Sequence, residues 1–198
     1  MFGGYLVVHL IVNATLIQGN KPDYFQTHVD KIHSIPFLHV VEWVFIFLPI
    51  LYHAIYGIWI TLTGKWNIDH YPFGKNWAYV LQRISALILA AFILFHILGM
   101  KGLLGARLAF DQEHATSTVI HHINASWAVA FLIYPIGIIA SAYHTANGFW
   151  TAGITWGLTI GAGSQRRWGR ICVGLGAFLL VCGVVALFAT IHDASHVR

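Results

Sequence analysis

Charge is what this chain has least of. Only 9% of its 198 residues are charged, against roughly a quarter in an ordinary soluble domain. A soluble surface cannot be built from so few charges when 58% of the residues are apolar, so the class is a membrane protein. Cysteine is nearly missing too. Cys172 and Cys182 stand alone, without a CxxC or CxxCH motif, which argues against covalently attached haem and a thiolate metal site and leaves both to packing. The basic excess is a modest +4, scattered through connecting segments except for Arg166, Arg167 and Arg170. That cluster reads as a cytoplasmic topology signal and not as a nucleic-acid surface. The first apolar run has neither an n-region charge nor a cleavage site, so it is no signal peptide. It begins at Met1 without a basic flank, is short for a span, and reads as cut short.

What is present is hydrocarbon-soluble helix. Apolar runs at about 1–17, 38–63, 80–101, 123–147 and 169–191 approach or exceed the roughly 20 residues that cross a bilayer core. They are continuously apolar and do not alternate, which excludes a barrel. The expected architecture is an all-α integral membrane protein, residues 1–198 forming one bundle of five transmembrane helices. Pro22, Pro36 and Pro72 fall in connections, whereas Pro49 and Pro135 fall inside runs, where a kink is expected. Lys65, Lys75, Arg83 and the arginine cluster mark one face; Lys21, Lys31, Lys101, Arg107 and Arg198, partly offset by Asp23, Asp30, Asp111 and Glu113, mark the other. This balance places the N-terminus in the cytoplasm.

Inside the runs one phrase occurs twice, YHAIYGIW at 52–59 and YHTANGFW at 143–150, sharing Tyr-His-x-x-x-Gly-x-Trp. Of thirteen histidines, His9, His53, His96 and His144 lie well inside apolar runs, one in each of the first four. An ionisable side chain in hydrocarbon is costly and must face a partner or a cavity. Run direction sorts them by depth: His53 with His144 near the cytoplasmic side, and His9 with His96 near the other, the pairs being separated by roughly 15 Å at 1.5 Å per residue. Two stacked haem groups, each held by two imidazoles, fit this pattern better than one metal cluster. Gly57, Gly99 and Gly148 would admit the macrocycle, and the tryptophans would pack on its edges or sit at the interface. His121 and His122 read as a loop pair without the further boxes a di-iron hydroxylase needs.

FIFLPILYHAIYGIWITLTGKW, NWAYVLQRISALILAAFILFH and SAYHTANGFWTAGITWG followed by SQRR resemble the cytochrome b558 membrane-anchor subunits of succinate dehydrogenases and fumarate reductases, of the single-chain, di-haem type. The resemblance implies two haem b groups and docking to a flavoprotein subunit carrying FAD and an iron–sulfur subunit on the cytoplasmic side. It further implies electron passage to menaquinone, with no succinate site on this chain. By the same resemblance His53 and His144 match the ligands of the haem nearer the iron–sulfur subunit, and His9 and His96 those of the farther one. Two departures stand out: the basic segment that usually leads into the first helix is missing, and Ala142 occupies a position where some relatives carry a proton-conducting glutamate. Arg83 is placed to pair with a propionate of the inner haem or to snorkel to the interface. Glu42, the one carboxylate within an apolar run, is a candidate for quinone protonation, with His39 assisting from the same end. Two other readings stay open: a di-haem anchor of a formate dehydrogenase or hydrogenase, and a haem-free helical membrane protein whose histidines only hydrogen-bond.

Overall fold

The computed structural model describes residues 2–19, 23–66, 68–105 and 109–194. Lys21, Pro22, Arg107 and Arg198, used above, lie outside the described residues. The helices are α1 (Phe2–Ala14, closing in a tighter turn at Thr15–Gln18), α2 (Tyr24–His33), α3 (Leu38–Thr63), α4 (Gly74–Met100), α5 (Ala115–Ile123), α6 (Val129–Thr155) and α7 (Ala162–Ala194). Four of them, α3, α4, α6 and α7, are long and apolar enough to cross a membrane, so the protein is a multi-pass, all-α membrane protein. The expected fifth span is a shorter apolar helix, Gly3–Gln18.

Boundaries moved where apolarity alone had set them. α4 and α7 begin several residues before their apolar runs, because a helix keeps its hydrogen-bond ladder through polar interfacial residues such as Lys75 and Arg166. The expected run 123–147 starts at the boundary between two helices, Ile123 being the last residue of α5 and Val129 onward lying in α6. Asn124 ends α5, its side chain donating to the Ile120 and Thr190 carbonyls at 2.9 Å each. The Ser126 hydroxyl then accepts from the Val129 N–H and starts α6. His121 and His122 therefore sit on a helix, not in a loop.

Pro49 and Pro135 have the same solution. Each follows a widened, π-type turn, Trp43–Phe47 in α3 and Val129–Ile133 in α6, where the missing proline N–H and the ring's bulk are absorbed.

The helices form a ring. α1 touches α3, α3 touches α4, α4 touches α6, and α7 closes the circuit by packing on both α6 and α1. Glycine makes the tightest seam possible. A Cβ at Gly176 would lie 2.9 Å from Ala146 and one at Gly183 2.6 Å from Ile138, so α6 and α7 approach closely because these positions are bare. Leu10 of α1, Ala142 of α6 and Leu179 of α7 fill the junction. α2 and α5 cap one end, where Phe25, Val29, Val119 and Ile123 pack with Tyr134 of α6. Gln26 and Asp23 tie the two caps together, accepting from Ala115 N–H and the Thr116 hydroxyl.

Candidate functional site

The histidines on opposite helices of the ring meet. His53 of α3 and His144 of α6 have ring centres 6.1 Å apart with planes at 74°. His9 of α1 and His96 of α4 stand 6.0 Å apart at 79°. Each pair thus spans a diagonal of the ring, and the diagonals lie at different heights. Gln82 and Ser85 of α4 touch His144, and His96 follows them by 14 and 11 residues, which is roughly 16–21 Å of helix.

Local geometry turns each ring. Beside His144, the Gln82 carbonyl lies 3.3 Å from Nδ1 and the Ser85 hydroxyl 3.5 Å. The Gln82 amide donates to the His144 carbonyl at 3.1 Å and accepts from Asn147 at 2.8 Å, which locks it in place. His96 Nδ1 is 2.9 Å from the Tyr134 hydroxyl, and His9 Nδ1 is 3.5 Å from that of Tyr5, whose ring stacks on it. On His144, His96 and His9, Nδ1 is therefore engaged to one side. The Gln82 amide nitrogen also lies 3.1 Å from His144 Nδ1, so this nitrogen meets both a donor and an acceptor of the same residue, and the tautomer follows from which of the two it pairs with.

This donor set fits haem on two counts. Two imidazoles on opposite sides of one metal, with metal–nitrogen bonds of about 2.0 Å, place their ring centres roughly 6.3 Å apart. Edge-to-face contact between bare rings falls in the same range, so the Nδ1 bonds are the sharper sign: an outward bond that fixes the tautomer is what metal-ligating imidazoles ordinarily have. Moreover, no group of three or more His, Cys, Asp or Glu that could hold a metal occurs among the described residues. A metal held by two imidazoles must bring donors of its own, as a porphyrin iron does.

The remaining predicted residues are placed as follows. Arg83 is 8% exposed, with its guanidinium 4.1 Å above the Tyr79 ring. Its Nη1 is buried and has no hydrogen-bond partner among the described residues. Gly64 at the end of α3 makes room for it, since a Cβ there would collide with the guanidinium. Glu42 lies 3.5 Å from His39, just before the wide turn of α3 that packs against α1.

One expected role is corrected. A Cβ at Gly99 would meet His122 Cε1 at 2.5 Å, so the Gly99 notch holds His122 and not a macrocycle. Of the tryptophans in the repeated phrase, Trp150 lies against Gly169 of α7, and Trp59 is exposed beside Tyr56. At about 100° per residue, a position six after a histidine falls roughly 120° around the helix from it, whereas the glycine four after stays on its face. His122, Gln82 and Tyr134 were missed. Amides at 82 and 147 inside apolar runs were the available signal for the Gln82 contact.

The sequence comparison decides the family. The chain is 31% identical over 189 residues to the succinate dehydrogenase cytochrome b558 subunit of Bacillus subtilis (strain 168), covering 94% of this chain and 89% of that one. This protein belongs to the succinate dehydrogenase cytochrome b558 subunit family. It is thus a membrane-anchor cytochrome b of that enzyme complex. No family model and no solved structure matches the chain.

Proposed function

We propose that this chain is the two-haem anchor of a succinate:menaquinone oxidoreductase in a prokaryotic cytoplasmic membrane, with its N-terminus inside. His53 and His144 are the ligands of the inner haem b, and His9 and His96 those of the outer one. The observation that carries this is the pairing of four intramembrane histidines across two diagonals, with Nδ1 engaged outward on His144, His96 and His9. Bound at both sites, haem b supplies one-electron transfer from the FAD and iron–sulfur centres of the partner flavoprotein and iron–sulfur subunits to menaquinone.

The chain's own residues do the rest. Gln82 and Tyr134 hold the ligand rings in orientation. Arg83 offers a desolvated positive charge that needs an anion, since an unpaired buried charge costs several kcal/mol, and a propionate of the inner haem supplies it. Glu42, 3.5 Å from His39 at the far end, hands a proton to the quinone. The iron–sulfur subunit docks at the end carrying Arg166, Arg167 and Arg170.

A reduced-minus-oxidised visible spectrum of the purified complex, with succinate and then dithionite as reductants, tests this together with a haem count. Two b-type haems per chain, at least one reduced by succinate, are expected; a haem-free complex would return the histidines to packing.

A further inference from the structure

His122 belongs to none of the roles above, yet no side chain in the molecule is placed more deliberately. It comes from α5, a capping helix whose inner face is otherwise Ala115, Thr116, Val119, Ile120 and Ile123. It is 0% exposed. A leucine would fill such a position without the cost of burying polar nitrogens, so the imidazole calls for a reason.

Its surroundings supply one. The His122 ring stands 6.3 Å from that of His96 at 87° and 5.8 Å from that of Tyr134 at 79°. Tyr134 and His96 are in turn 6.0 Å apart at 76° and joined at 2.9 Å through Nδ1 and the hydroxyl. Three rings that meet edge to face at near right angles block one another's rotation. Gly99, one turn beyond His96 on α4, provides the notch in which His122 sits. The height of α5 is fixed from the other side, because Asn124 donates to the Thr190 carbonyl of α7 at 2.9 Å.

We propose that His122 is a positioning residue for the outer site: seated in the Gly99 notch, it keeps Tyr134 and His96 in register so that the His96 imidazole faces His9. This rests on the reading that His9 and His96 hold the outer haem. At the inner site the contacts to His144 Nδ1 come from Gln82 and Ser85 of the spanning helix α4 and not from a capping helix. The arrangement makes the orientation of one ligand depend on how a cap outside the spanning helices is docked.

The test uses the whole complex purified from membranes, with low-temperature EPR of the oxidised haems, whose low-field signals depend on the relative orientation of the two ligand planes. H122A and G99A should each shift the outer-haem signal and leave the inner one in place, and H122F, which keeps a ring, should retain most of the wild-type outer signal. G99A keeps every side chain and only pushes the His122 ring aside, so it decides the question if H122A does not assemble. An outer signal unchanged in G99A and in any assembled H122A overturns the proposal, as does a joint shift of both signals. A wild-type complex lacking two haem signals would instead defeat the underlying ligand assignment.

Discussion

The two histidine pairs share a ring of helices but not a style of support. At His144 the neighbours are amides and hydroxyls, Gln82, Ser85 and Asn147, and the group nearest Nδ1 on α4 after the Gln82 amide is a main-chain carbonyl. At His96 they are rings: Tyr134, His122, Phe92 and His9. The helices differ in the same sense. The most apolar stretch of α6 is 44% buried within the protein and that of α3 only 6%, although each carries one copy of the same phrase. The phrase therefore does not encode an environment. It supplies a histidine with a glycine on the same face, and the opposing helix determines what surrounds them. Side-chain changes at Gln82 or Ser85 therefore reach the inner ligand through polar contacts, and changes at Tyr134 or His122 reach the outer one through packed rings.

The largest expected effect separates the sites outright. H144A should lose the inner haem and H96A the outer, each retaining about half the haem, as read by pyridine haemochrome assay and EPR; loss of the same haem in both would break the diagonal assignment. Next, E42Q should lower quinone reduction by about a hundredfold, the lower range for removal of a proton donor, and alter its pH profile without touching haem content. Unchanged turnover and pH profile would remove Glu42 from the mechanism. Y134F should weaken retention of the outer haem on the order of tenfold, typical of lost outer-shell support, while the inner haem stays. R83L sharpens the other side. Removing a cation beside a propionate should lower the inner midpoint potential by roughly 50–100 mV, since about 60 mV corresponds to 1.4 kcal/mol for one electron. If R83L instead leaves the potential unchanged, the guanidinium faces another anion.

The smallest effect lies outside the membrane. Asp111 and His114 are 3.0 Å apart in the loop before α5. Their hydrogen bond raises the His114 pKa and, with the Glu113 N–H, lowers that of Asp111. The histidine's share of the contact is full below its unfolded pKa and lost as pH rises through the raised folded value. The carboxylate's share is full above its unfolded pKa and lost as pH falls through the depressed one. The pair therefore acts between those two folded values. Both groups are exposed, so D111N should return the His114 titration toward the ordinary histidine range by NMR, with both haems unaffected.

Much of this was legible because a few residues violated their surroundings. Four histidines in hydrocarbon, two prolines within helices and Arg83 inside a span each demanded a partner or a distortion. Hydropathy could not supply what depends on where helices end. Asn124 and Ser126 end one helix and start the next at the head of the run 123–147, and the segment before it, read as a loop, is a helix that carries His122 into the core. Nor could it reveal which helix faces which: Gln82 and Tyr134 find their histidines only once α4 and α6 are packed. The glycine after His96 looked like space for a flat ligand, and the space is taken by a side chain arriving from another element.

The most direct measurement is a cryo-EM map of the purified complex. Two planar macrocycle densities are expected, one with its iron coordinated by His53 and His144 and one by His9 and His96. Macrocycle density elsewhere, or either pair in direct ring contact with no density between, would contradict it.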